Sequence, residues 1–149
     1  MDFEWQPEFR AFRDELRAFI QEWRTPELLA EYARTYGGGG PVIRRFQEEI
    51  DARGWMRMCW PREVGGEARN MLYQYVFVET MEYWGMPYGN LTLTSIAPTL
   101  MAFGSEAQKQ RYLPGIRSGE VRFALGYSEP GAGSDLASLM QTRPVAAWS

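Results

Sequence analysis

The apolar and polar positions divide the chain into several stretches of helical period and one of strand period. Over about residues 3–24, Phe9, Phe12, Leu16, Phe19, Ile20 and Trp23 recur at steps of three and four. That spacing puts them on one stripe of an amphipathic helix. Arg10, Arg13, Asp14, Arg17 and Glu22 fall mostly off the stripe. Pro26 ends this helix or begins a short second one. The glycine run at residues 37–40 is the most flexible stretch, and Pro41 after it suits a first helical position. Val42, Ile43, Phe46 and Ile50 give another apolar face, which Gly54 closes as a C-cap. Residues 55–69 predict an ordered loop: Trp55, Met58 and Trp60 can pack, while Pro61 and the Gly65-Gly66 pair break regularity.

Residues 70–84 are apolar almost all round, which predicts a buried central helix. Asn70 is its N-cap, and Gly85 and Pro87 stop it. Residues 91–103 form another largely apolar element whose length favours helix, with a kink at Pro98. Ser105 with Gln108 is a capping-box pattern opening a helix to about Tyr112, which Pro114 stops. The period changes after Gly119. Val121, Phe123, Leu125 and Tyr127 alternate with Arg122, Ala124 and Gly126, the one clear strand signal.

The expected fold class is therefore mainly α. A helical N-terminal domain covers residues 1–118, and the first strand or strands of a truncated β domain cover residues 119–149. A lone strand cannot satisfy its own backbone hydrogen bonds. The sequence accordingly reads as a fragment, or as a chain that needs another.

Composition narrows the chemistry. The chain has 149 residues, the length of one ordinary domain, and a net charge of -3. Weak acidity gives no electrostatic footprint for nucleic acid. The absence of histidine removes Ser-His-Asp triads, Cys-His pairs and His-ligated zinc. Cys59 is the one cysteine, so there is no internal disulfide and no multi-cysteine metal site. Basic charge is almost all arginine, with Lys109 the single lysine, which reads as base-composition bias in the genome. The acidic, amphipathic start MDFEWQPEFR lacks the features of a signal peptide. No run approaches the roughly 18 apolar residues of a membrane span. A soluble, cytoplasmic protein with no metal is the expectation.

Candidate chemistry concentrates in the stretch SEPGAGSD, residues 128–135. Gly131 and Gly133 permit positive φ and close backbone approach. Successive amides there can form a concave anion site, to which Ser128 and Ser134 add hydroxyl donors. An ordinary β-turn fits the spacing equally well. It is no P-loop, because no Gly-Lys-Ser/Thr follows, and no Rossmann fingerprint, because the third glycine is missing.

Residues 125–136, LGYSEPGAGSDL, closely resemble the signature of the acyl-CoA dehydrogenase family. Gly54-Trp55 with WPREVGG at residues 60–66 is similar to that family's GW…WPxEyGG loop. Residues 75–81 resemble its central helix, and GSEAQK at residues 104–109 with Tyr112-Leu113-Pro114 resembles its G-[ST]-E-x-Q-K…YLP element. These motifs run in order over about residues 50–143. The Gly-Tyr-Ser-Glu-Pro wording is similar to actinobacterial members acting on steroid side chains.

The resemblance implies an FAD-dependent oxidoreductase that removes hydrogens from Cα and Cβ of an acyl-CoA thioester, giving a trans-2-enoyl-CoA, in fatty acid or steroid side-chain β-oxidation. It implies a helical N-terminal domain, a middle β domain and a C-terminal helical bundle, assembled as a homo- or hetero-oligomer. An electron-transfer flavoprotein or similar acceptor would take the electrons. By the match, Leu125, Gly126, Tyr127, Ser128, Glu129, Pro130, Gly131, Ala132, Gly133 and Ser134 contribute FAD contacts. Ser128 would hydrogen-bond the flavin ring, and Ser134 would also lie near the CoA portion of the substrate. Residues 91–103 resemble the helix bordering the acyl chain. The family's general base is a carboxylate of the C-terminal bundle, so no catalytic residue is expected in these 149 residues, which alone should be inactive. The tail PVAAWS, residues 144–149, departs from the family pattern, as does Glu67-Ala68-Arg69, where members often carry another glycine.

Plainer roles compete at the other notable residues. Glu129 fixes its loop more readily than it acts as a catalytic carboxylate, and Asp135 caps a turn. Glu79 and Glu82, on the most apolar helix, are either carboxylates of raised pKa or a polar rim between helices. Cys59 reads as a small packed hydrophobe. The glycines at residues 37–40 read as a linker rather than a phosphate cradle. Two further functional readings stand beside the enzyme: a non-catalytic partner subunit, and a helical module that binds acyl-CoA.

Overall fold

The computed structural model describes residues 4–35, 39–89, 91–124, 133–135 and 137. Among them are six α-helices: α1 (Pro7–Trp23), α2 (Pro26–Thr35), α3 (Pro41–Ala52), α4 (Met71–Tyr83), α5 (Ala97–Phe103) and α6 (Glu106–Ser118). The described residues contain no strand. Helix α1 packs along α4, α2 on α3, and α5 on α6.

Three helices open on a proline, a residue whose missing N–H is one of the donors a helix start leaves unpaired anyway. The stripe of α1 is buried as its spacing requires: Phe9, Phe12, Leu16, Phe19 and Ile20 all face inward. Each such side chain contributes roughly 1.5–3 kcal/mol on leaving water. Aromatic rings carry the packing from helix to helix. Phe19 stacks on Phe46 of α3 at 5.5 Å and meets Trp55 edge-on at 5.0 Å. Tyr73 of α4 takes the edges of Phe9 and Phe12 at 4.9 and 5.4 Å.

The start of α3 already holds an anion. Glu31 of α2 is buried and accepts from the Ile43 amide at 2.8 Å, satisfying one of the unpaired donors of that helix end. A Cβ on Gly40 would lie 2.3 Å from the Glu31 carboxyl carbon, so that carboxylate needs a glycine there. The glycine run thus ends as a close-packed N-cap, and its helix terminus is filled by the chain's own carboxylate.

Caps elsewhere follow the sequence. Gly54 takes φ +69° just beyond α3. The Asn70 side chain accepts from the Leu72 amide at 2.9 Å. Ser105 and Gln108 form the reciprocal capping box at the start of α6. Three expectations need correction. Pro114 does not stop α6, which runs on to Ser118. An interior proline costs about 3 kcal/mol. Burial of Leu113 and Ile116 on either side, roughly 1.5–3 kcal/mol each, offsets it. Helix α4 is not buried all round. Val76, Phe77, Thr80 and Met81 face the core, while Met71, Leu72, Tyr75 and Tyr83 are exposed. Pro98 is not a mid-helix kink. A π-helical turn, Thr92–Ile96, precedes it and is closed by the Ala97 amide on the Thr92 carbonyl, so Pro98 falls in the first turn of α5.

Of the expected strand, residues 121–124 are described. They carry no regular structure, yet keep the alternation: Val121 and Phe123 are half-buried, Arg122 and Ala124 exposed.

Candidate functional site

The loop after α3 is tied down by its own backbone. The Gly66 amide bonds the Pro61 carbonyl at 3.0 Å, Ala68 bonds Trp60 at 2.9 Å, and Arg69 bonds Met58 at 2.9 Å. Gly66 lies so close to Trp60 that a Cβ would stand 2.1 Å from its carbonyl oxygen. This close approach is the physical content of the WPREVGG motif. Ala68 sits at φ +53°, a conformation glycine adopts at lower cost, at the place where the departure from the family pattern lies.

The loop forms the floor of an open groove of about 500 Å³. Met71, Gln74 and Val78 of α4 make one wall. Leu93 and Thr94 of the π turn, with Pro98, Met101 and Ala102 of α5, make the other. Met56, Cys59, Trp60 and Pro61 close the bottom. Gln74 and Thr94 are its uncharged polar side chains, and among the described residues no ionisable group other than the Cys59 thiol lines it. The Cys59 Sγ donates to the Asn70 carbonyl at 3.4 Å. Burial pushes its thiol above the ordinary range, so it stays protonated and packs as a hydrophobe. Such a surface suits an extended apolar chain or ring system and offers no nucleophile or base.

A more polar cleft of about 310 Å³ lies between α3 and the end of α6, lined in part by Asp51, Arg57, Arg117 and Arg122. Arg57 donates to the Asp51 carbonyl at 3.2 Å and to the Arg117 carbonyl at 3.5 Å, joining the C-terminal ends of both helices. Desolvation raises the Asp51 carboxyl above the usual carboxylate range, and Arg57 and Arg122 pull it partly back.

The residues expected to touch FAD divide sharply. Leu125, Gly126, Tyr127, Ser128, Glu129, Pro130, Gly131 and Ala132 lie outside the described residues. Gly133 and Ser134 are described and exposed, and a Cβ on Gly133 would meet nothing within 4 Å. Asp135 is exposed. Glu79 and Glu82 are exposed rim residues, and the Tyr88 hydroxyl donates to Glu82 at 2.8 Å.

Sequence reasoning missed a contact that the π turn before α5 makes with Phe123, just ahead of this stretch. The Phe123 amide donates to the Thr92 hydroxyl at 2.8 Å, and that hydroxyl lies 3.4 Å from the Phe123 carbonyl. No pattern signals a pairing between residues so far apart in sequence. Among the described residues there is no cluster able to hold a metal ion, and no helix is long and apolar enough to cross a membrane.

A family model described as "Acyl-CoA dehydrogenase, N-terminal domain" matches residues 6–120. The chain is 38% identical over 144 residues to "Acyl-CoA dehydrogenase FadE26" of Mycobacterium tuberculosis, covering 95% of this chain and 36% of that protein. It is similar to the solved structure "Tcur3481-Tcur3483 steroid ACAD", with 40% identity and a TM-score of 0.74, over 93% of this chain and 36% of that one. It is also similar to the crystallised ChsE4-ChsE5 complex from Mycobacterium tuberculosis, with 37% identity and a TM-score of 0.73, over 93% of this chain and 35% of that one. The chain therefore spans about a third of the length of the relatives it matches.

Proposed function

The chain belongs to the acyl-CoA dehydrogenase family, and from that premise we propose that it supplies one wall of an FAD-dependent α,β-dehydrogenation site. The observation that supports this most is the groove between α4 and α5, about 500 Å³ and mostly apolar along both walls. The reading places residues 1–118 as the helical domain and residues 119–149 as the beginning of the β domain, in a cytoplasmic bacterial enzyme. The solved relative titled a steroid enzyme favours a steroid side chain as substrate.

In this reading the chain's residues bind and orient. The apolar walls take the acyl portion out of water, which fixes it against the reacting centre and keeps competing water away. Leu125, Gly126, Tyr127, Ser128, Glu129, Pro130, Gly131, Ala132 and Gly133 would contact the flavin, with the Ser128 hydroxyl and the backbone amides of the residues other than Pro130 as donors. Ser134 would contribute a flavin contact and lie near the CoA portion of the substrate. Bound FAD would supply the acceptor for the hydride lost from Cβ. The proton at Cα would pass to a carboxylate, which the family resemblance places in a C-terminal helical bundle. An electron-transfer flavoprotein or similar acceptor would reoxidise the cofactor.

The test is a hybrid in which this chain replaces the matching third of a solved steroid relative. Acyl-CoA is expected to bleach the flavin absorbance of the hybrid, while the 149-residue chain alone retains no stoichiometric FAD. A folded, FAD-loaded hybrid that no acyl-CoA bleaches would refute the reading.

A second reading is favoured by exposed aromatic and apolar surface. Tyr83 and Phe103 are 79% and 85% exposed, and two solved relatives carry two-component titles. In it the chain is a non-catalytic subunit that docks on a complete dehydrogenase. Stable co-elution with such a partner, without any acyl-CoA-dependent signal, separates the two.

A further inference from the structure

Two uncharged polar side chains interrupt the apolar groove, Gln74 on the α4 wall and Thr94 on the facing one. Along α4 the lining residues Met71, Gln74 and Val78 follow at steps of three and four, which stacks them in one row on one helix face. Gln74 therefore stands within the wall, with Met71 about 4.5 Å to one side along the helix axis and Val78 about 6 Å to the other. It is half-buried, and its side-chain amide forms no hydrogen bond with another described residue. The Cys59 thiol in the floor is engaged with the Asn70 carbonyl at 3.4 Å. An amide set in an apolar wall penalises a wholly apolar ligand, which removes its water and returns no hydrogen bond. It favours a ligand that brings an oxygen level with it.

We infer that Gln74 is a specificity-determining residue that selects an acyl group bearing one uncharged oxygen, a ketone or a hydroxyl, along its apolar length; this rests on the groove receiving the acyl portion, as under "Proposed function". The carboxamide suits either oxygen. Its NH2 donates to a ketone, and its C=O accepts from a hydroxyl. A carboxylate or ammonium on the acyl group is disfavoured, because among the described residues no charged side chain lines the groove to pair with it. A saturated straight chain fills the same walls and strands the amide. The depth of Gln74 in the groove sets how far the oxygen lies from the thioester, so the oxygen's position on the chain matters as well as its presence.

The test is titration calorimetry of the 149-residue chain with decanoyl-CoA and its oxo and hydroxy analogues, the oxygen moved stepwise along the chain. One position in each series is expected to bind about tenfold tighter than decanoyl-CoA. Gln74→Leu should bring that position level with decanoyl-CoA. Gln74→Glu should keep the preference for the hydroxy analogue and lose that for the oxo analogue, since a carboxylate accepts from a hydroxyl and has no proton to give a ketone. Both variants are read as ratios between analogues, so a general change in affinity drops out. Binding of decanoyl-CoA and every analogue within about twofold by the wild-type chain overturns the inference. So does a preference that survives in Gln74→Leu. Thioesters that fail to bind, or that bind and leave the Met56, Met71 and Met101 methyl resonances unmoved, overturn the acyl-groove reading itself, and this assignment with it.

Discussion

Replacing Gly66 with alanine puts the structural account of the WPREVGG motif at risk. The added Cβ would lie 2.1 Å from the Trp60 carbonyl oxygen and 2.5 Å from both its carbonyl carbon and its Cβ. Carbon and oxygen need about 3.3 Å or more, so the two backbone strands must part by roughly 1 Å. Parting them strains the three bonds that close the loop: Gly66 to Pro61, Ala68 to Trp60 and Arg69 to Met58. Each contributes about 0.5–1.5 kcal/mol net, and the close contact adds about 1–3 kcal/mol. A loss of roughly 2–4 kcal/mol follows, allowing for partial relaxation. For a chain near 150 residues that is a melting-temperature fall of about 5–15 °C. Calorimetric melting of Gly66→Ala beside Gly89→Ala checks it, because a Cβ at Gly89 meets nothing within 4 Å. Gly89→Ala should change stability by no more than about 0.5 kcal/mol. Equal melting of the two variants would refute the reasoning, and the motif would need another explanation.

Other consequences follow from single contacts. Glu31→Ala removes the carboxylate on the Ile43 amide and should cost about 1–2 kcal/mol, measured by urea unfolding. Thr80→Val should stabilise by roughly 1 kcal/mol in the same assay, because the buried Thr80 hydroxyl has no hydrogen-bond partner among the described residues. The Asp51 carboxyl is raised in the folded state, so the fold binds more protons than the unfolded chain just above the ordinary carboxylate pKa. Stability should therefore fall as pH rises through that window. Asp51→Asn should remove this part of the slope and be the more stable form at pH 7, as unfolding curves from pH 3 to 7 would show. Tyr88, pushed up to about 12 first by burial and then by its bond to Glu82, should add a loss of stability between about pH 10 and 12 that Tyr88→Phe abolishes.

What the sequence discloses here depends on the range of the interaction. The α1 stripe, the Asn70 cap and the Ser105–Gln108 box are local, and the residues within one or two turns determine them. Pro114 was misjudged because a local rule met a tertiary gain from Leu113 and Ile116. Helix α4 was misjudged for a different reason. An apolar residue announces only that some surface could cover it, and Tyr75 and Tyr83 stay exposed among the described residues. Glu31 on the start of α3 and Thr92 on Phe123 could not have been found, since the partners are set by helix packing. For the candidate site, the resemblance singled out residues 91–103, of which Leu93, Thr94, Pro98, Met101 and Ala102 line the groove. The loop floor and the α4 wall required the fold. The flavin stretch rests on its motif, with Gly133 and Ser134 its described members.

The most direct test of the central claim, that the α4–α5 groove receives an acyl chain, is methyl NMR of the methionines during titration with acyl-CoA thioesters of increasing length. Met56, Met71 and Met101 line the groove, whereas Met58, Met81 and Met86 are buried in the core away from it. The account predicts shifts at the first three that grow with chain length and with a sterol side chain, and little change at the others. Saturable binding that leaves Met56, Met71 and Met101 unmoved, or moves the core methionines equally, would contradict it.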